Sequence, residues 1–183
     1  MPGPGLGLTL SERMFDSLVL GVDPGLARLG LAVVAKRGRR LELVWAATIR
    51  TDPGVAESIR LRTLAAAVRE AIAAHNPGSV AVERVAWSRN QVSALQVARA
   101  TGAVMVAAAE AGLAVEEYGP NEVKQAVTGM GNADKRQVQL ALGRVHGLRG
   151  VPAETDASDA VAVALTHVLA SRLRSIAAEA GAR

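Results

Sequence analysis

Apolar residues fall along the chain in short runs that alternate with longer helical patterns. LVLGVD (18–23) is a compact apolar run ending in an acid, and Asp23-Pro24-Gly25 punctuates it, since a residue before proline is held extended. LGLAVVA (29–35) and LELVWAATI (41–49) flank KRGRR, whose glycine and charges suit a hairpin tip, so the first three strands are expected as an antiparallel meander. A helix follows, with Asp52 as cap and Pro53 in its first position; Leu61, Leu64, Val68 and Ile72 repeat at helical spacing until Asn76-Pro77-Gly78 stops them.

SVAVE (79–83) has no polar alternation, as expected of a strand covered on both faces in a parallel arrangement, and it too ends in an acid. An alanine-rich helix over about 88–111, a short strand at 113–118, a helix from Pro120 broken by the GMG of 129–131, and another helix to about His146-Gly147 come next. The loop LRGVPAET leads to a terminal helix beginning DASDA. The order implies an α/β fold, a five-stranded mixed sheet flanked by helices, in one domain over 18–175, with a flexible leader at 1–17 and a tail at 176–183. A length of 183 residues, half of them hydrophobic, suffices for one ordinary core.

Composition narrows the chemistry. There is no cysteine, so disulfides and thiolate metal sites are excluded and any metal must take oxygen or histidine ligands. The 21 Lys and Arg outnumber the 17 Asp and Glu, which suits an anionic partner such as nucleic acid. With only Phe15, Trp45, Trp87 and Tyr118 as aromatics, a module that stacks successive bases on rings is disfavoured. The uninterrupted apolar runs are short, no membrane partner is expected, and the leader lacks the basic-then-apolar layout of a secretory signal.

The acids pose the central question. Asp156 and Asp159 lie three residues apart at the head of a helix, where like charges on one face repel. The helix N-terminal dipole is one offset, and a bound cation that needs both carboxylates is another. If the strands ending at Asp23 and Glu83 are parallel neighbours, both acids emerge at one edge of the sheet, and the terminal helix can bring Asp156 and Asp159 beside them. Four converging carboxylates suit Mg²⁺ or Mn²⁺, and two such ions clamp the attacking and leaving oxygens of a phosphoryl displacement. Taken singly, the same residues also read as a turn aspartate, a strand-end surface charge and two first-turn dipole acids.

The set VLGVDPGLARLGLAVV, VAVERVAWSRNQVSALQVARATG, YGPNEVKQAVTGMGNADKRQVQ and DASDAVAVALTH, in order over about residues 18–170, resembles the RuvC family of crossover-junction endodeoxyribonucleases, of the RNase H-like fold. DPG alone is shared with actin-like ATPases, whereas the lysine- and glycine-spaced third segment together with D..DA is far more specific. The resemblance implies a Holliday-junction resolvase of recombination and repair in the bacterial cytoplasm, associated with the nucleoid. It implies paired symmetric nicks leaving 5′-phosphate and 3′-hydroxyl ends, with Asp23, Glu83, Asp156 and Asp159 as catalytic metal ligands for Mg²⁺ or Mn²⁺, two ions per site.

By the same resemblance Lys124 and Lys135 occupy basic positions near the junction, the partner is four-way junction DNA, and the enzyme is a homodimer, with a branch-migration motor complex as a further partner. Where the family usually carries an aromatic three residues after the strand-end glutamate this chain has Ala86, so Trp87 is expected to take the wedge role against bases, with Arg89 and Asn90 on DNA backbone. The small-sided helix after them is expected either at a dimer interface or against its own sheet. His75, His146 and His167 are read as structural, and Trp45 and Tyr118 as core. Two other classes remain: a junction-binding module without catalysis, against which the intact acid set argues, and an actin-like phosphate-binding domain, which would want a second glycine-rich loop and a larger, duplicated chain.

Overall fold

The computed structural model describes residues 16–85 and 91–181; for residue 91 and residues 172–181 the description is of backbone only. Strands β1 (Ser17–Asp23), β2 (Arg28–Arg37) and β3 (Arg40–Arg50) are followed by α1 (Glu57–His75), β4 (Ser79–Glu83), α2 (Gln91–Glu110), β5 (Val115–Tyr118), α3 (Pro120–Thr128), α4 (Lys135–Arg144) and α5 (Thr155–Gly181). The segment expected as a tail from 176 is thus helical backbone as far as 181.

The sheet order is β3-β2-β1-β4-β5. The first three strands pair antiparallel, turning at Gly38, whose φ of +59° the tip requires, while β1 pairs parallel with β4 and β4 with β5. The crossover through α1 therefore lays β4 beside β1 and brings Asp23 and Glu83 to the same edge.

The helices form two layers. Leu20, Val22, Leu29, Leu31, Val33, Val80 and Val82 face α1 and α2, whereas Val19, Ala32, Val34 and Ala81 face α3, α4 and α5. Side chains along a strand alternate between faces, so Gly21 and Asp23 share the face of Val19, and Glu83 shares that of Ala81. Both strand-end acids thus point to the layer that contains α5.

That helix seats closely because two strand glycines admit it. A Cβ on Gly21 would overlap the carbonyl of Ala160, and one on Gly30 would overlap the carbonyl of Asp156. Ala160 and Ala164, both fully buried, supply the matching small surface on α5. The backbone of the helix head is thereby pinned to β1 and β2.

The helix expected from Asp52 and Pro53 begins four residues later, at Glu57. Asp52 accepts the N–H of Gly54 through Oδ1 at 2.8 Å and the N–H of Val55 through its carbonyl at 3.1 Å. Its carboxylate therefore closes a local turn instead of capping a helix. Over Val92–Glu110, α2 has the length and hydropathy of a membrane-crossing helix, a property its individual apolar runs do not show. Here it packs on α1, and Arg99 within it pairs with Glu57 at 2.7 Å.

The histidines hold structural positions. His167 is buried between Ser79 Oγ at 3.1 Å and Tyr118 OH at 2.9 Å, tying α5 to β4 and β5. His146 Nε2 lies 2.8 Å from the carbonyl of Val127, and His75 packs against Trp45 with ring centroids 5.0 Å apart.

Candidate active site

The C-terminal edge of β1 and β4 collects the four acids. Asp23 and Glu83 come from neighbouring parallel strands, and Asp156 and Asp159 from the first turns of α5, held down at Gly30. A cleft of about 210 Å³ opens beside Asp23 and Glu83, walled by Pro24, Val97 and Pro120 with Arg84 at its edge.

The charges perturb one another strongly. The Asp23 carboxyl is pushed up from 3.8 to about 8, first by burial, then by Glu83 and Asp159, and it donates a hydrogen bond to Glu83. Glu83 is also raised, by burial and by Asp159, against the opposing pull of that hydrogen bond and of Lys135 and Lys124. Lys135 Nζ donates to Asp159 Oδ2 at 2.7 Å, which holds its ammonium charged above the usual lysine range. Asp156 Oδ2 is buried without a hydrogen-bond partner, Arg28 standing 4.0 Å away.

As the side chains stand, repulsion is relieved by a proton between Asp23 and Glu83 and by Lys135. Among the described residues no three acidic or histidine side chains are drawn in to ligand distance around one point. The donor set nonetheless fits a hard divalent cation: it is all oxygen, it includes an orphaned buried carboxylate oxygen, and its charge conflict is what such an ion neutralises. A cation held by these carboxylates would take the place of the proton between Asp23 and Glu83 and would compete with Lys135 for Asp159.

The lysines are positioned by their helices. Lys135 opens α4 just after Asp134, whose carboxylate accepts the N–H of Gln137 at 2.8 Å while Gln137 returns a bond to the Asp134 N–H. Lys124 lies half-buried on α3, which starts at Pro120 and ends at Gly129 with φ +78°. Trp87, Arg89 and Asn90, with Ala86, lie outside the described residues.

Sequence reasoning missed three supports of this site. They are the glycine seats at 21 and 30, Arg28 beside Asp156, and the ion pair of Arg50 with Glu154 that ties β3 to the loop before α5. Glycine inside an otherwise apolar strand was the available signal for the first. For the two arginines there was none, since their partners lie more than a hundred residues away in the chain.

The model of the family "crossover junction endodeoxyribonuclease RuvC" matches residues 19–167. The chain belongs to the RuvC family. RuvC of Rubrobacter xylanophilus is 42% identical over 156 residues, 85% of this chain and 87% of that one, and RuvC of Zymomonas mobilis is 46% identical over 151 residues, 82% and 89%. The solved structure of Thermus thermophilus RuvC in complex with Holliday junction substrate matches with a TM-score of 0.80 at 39% identity, covering 86% of this chain and 96% of that one. The fold is therefore the RNase H-like fold of RuvC. The yeast mitochondrial Holliday junction resolvase Ydc2 shares that fold at 11% identity and a TM-score of 0.60.

Proposed function

We propose that this chain is a structure-selective endonuclease that resolves four-way DNA junctions by paired nicks during homologous recombination and repair, leaving 5′-phosphate and 3′-hydroxyl ends. The observation that carries this reading is the convergence of Asp23, Glu83, Asp156 and Asp159 at one sheet edge in a chain of the RuvC family. Relatives of this length and similarity carry the name crossover junction endodeoxyribonuclease, and one was solved on a Holliday junction.

In this reading the four carboxylates hold divalent metal, Mg²⁺ or Mn²⁺ and two ions per site, which when bound supplies an activated water and neutralises charge on the phosphate under attack. Asp23, central in the set and flanked by the other three, would hold the metal as a carboxylate once its shared proton is released. Asp156 brings a buried oxygen that accepts no hydrogen bond, with Arg28 4.0 Å away. Lys135, freed from Asp159, and Lys124 turn their ammonium groups to phosphate oxygens, steadying the charge that develops in the transition state. Arg89 and Asn90 are proposed on DNA backbone, and Trp87 as the wedge against bases.

A homodimer is proposed across α2. Val92, Leu95 and Val106 stand 69%, 52% and 55% exposed on one stripe of that helix, and Gly102 between them has open space around it. Two-fold symmetry then matches a four-way junction, whose resolution needs nicks on opposed strands. A branch-migration motor complex is the proposed further partner, and the bacterial cytoplasm, at the nucleoid, the proposed location; the RuvC relatives of Rubrobacter xylanophilus and Zymomonas mobilis are bacterial.

The experiment is cleavage of a synthetic mobile four-way junction against matched linear duplex, with Mg²⁺, Mn²⁺ or chelator. Paired nicks on the junction alone, dependent on metal and lost in Asp156→Asn, are the expected result. Tight junction binding with no cutting under either metal would replace the enzyme with a binding module.

A further inference from the structure

The end of the sheet away from the acids carries a second charged feature. Arg37, Arg39 and Arg40 at the β2–β3 tip and Arg149 in the loop after α4 surround a cleft of about 570 Å³, whose floor includes Leu41 and Leu43. All four arginines are exposed, and none is in an ion pair among the described residues, while Glu42 is the one acid on the lining. Three cations on a hairpin tip are a common guard for an edge strand. A fourth arriving from a loop far along the chain to face the same cleft is not explained that way.

The place of this cleft limits its occupant. Ser17 pairs with Lys36 and Asp23 with Gly30, so six residues of strand, about 20 Å, separate the two ends of β1. The arginine cleft and the acids thus lie at opposite ends of β1, so a ligand in the cleft need not touch the acids. Duplex DNA presents to a cleft of this size only a phosphate ridge, and it offers nothing apolar to Leu41 and Leu43. An extended peptide that alternates acidic and apolar side chains matches both features: carboxylates meet guanidinium forks on one side and leucines meet the floor on the other. Strand β3 is also the edge of the sheet, so its outer N–H and C=O groups stand beside the cleft ready to pair with an added strand.

We infer that this cleft is a docking site for an acidic, extended segment of a partner protein, open while the enzyme is bound to its junction. The partner is defined by that chemistry, alternating carboxylate and apolar side chains in strand conformation.

The test uses full-length protein and a fluorescein-labelled peptide of alternating Asp and Leu, read by anisotropy with and without saturating four-way junction in chelator. Saturable binding is expected, unchanged by the junction, lost when Asn replaces Asp in the peptide, and weaker by at least about tenfold in the Arg39→Glu/Arg149→Glu double variant. Junction binding and cleavage by that variant are expected within about twofold of wild type, and the milder Arg39→Gln/Arg149→Gln pair reports the same ranking if the charge reversal disturbs folding. Absence of peptide binding, or equal binding by the variants, would overturn the proposal. So would displacement of the peptide by the junction together with loss of junction affinity in the variants, an outcome that would make the cleft a nucleic-acid surface.

Discussion

The two ends of the central sheet hold charge in opposite ways. At the C-terminal edge of β1 and β4, four carboxylates are crowded into partial burial, with Asp23 pushed up to about 8 and Lys135 pulled onto Asp159. At the hairpin end, Arg37, Arg39, Arg40 and Arg149 stand in solvent. Exposed charges are stabilised by water and perturb one another little, whereas buried like charges cost folding energy unless a counter-ion arrives. On the proposed function, the acid end is thus the part of the molecule where stability is given up for chemistry.

The sharpest way to break this contrast is at the acids. On the proposed function Asp156→Asn is expected to lower junction cleavage at least about 100-fold while junction binding persists, because a proposed metal ligand is lost while the lysines proposed on DNA remain. Parallel cleavage and binding assays check it; equal loss of both would move Asp156 into substrate binding.

Next in size is the seat of α5. Gly30→Ala places a methyl against the carbonyl of Asp156, so it is expected to cost about 2 kcal/mol, roughly 6 °C in Tm. Cleavage should fall at least about tenfold, since the helix head carrying the two proposed ligands Asp156 and Asp159 must shift. Thermal denaturation alongside single-turnover kinetics separates the two effects.

Smaller and opposite in sign is Asp23→Asn. Removing the most strained carboxylate is expected to raise Tm in chelator at pH 8 by about 3 °C, a gain near 1 kcal/mol, while cleavage is expected to be lost on the proposed function. The smallest change is expected from Arg50→Ala. Its partner Glu154 and the arginine itself are both solvent-exposed, so stability should change by less than about 0.5 kcal/mol, under about 2 °C in Tm, making this pair the weakest of the site's supports.

Much of this architecture was legible in the chain. The runs at 18–23, 29–35 and 79–83 are too apolar to face water, and the GMG at 129–131 breaks a helix because Gly129 takes a left-handed conformation there. Strand parity also assigns Asp23 and Glu83 to one face once β1 and β4 are neighbours. The start of α1 was misplaced because Asp52 and Pro53 carry turn and cap signals alike, and the local turn onto Gly54 won. What the sequence could not display is contact between distant segments. Arg28 beside Asp156 and Arg149 beside the hairpin depend on how layers stack, and nothing in the local pattern encodes it.

The central claim, that a divalent cation relieves a charge conflict built into the acid end, is tested most directly by Tm with and without saturating Mg²⁺ at pH 6 and pH 9. In the fold Asp23 ionises near 8 against an ordinary 3.8, so the folded chain keeps a proton that the unfolded chain has released. Stability without metal therefore falls as pH rises through that window, and it does so less in Asp23→Asn. Mg²⁺ must displace the proton at pH 6 but meets an ionised site at pH 9, so its stabilisation is predicted to be larger at pH 9 and nearly pH-independent in Asp23→Asn. An equal Mg²⁺ shift at both pH values in wild type, or no shift at either, would contradict the account.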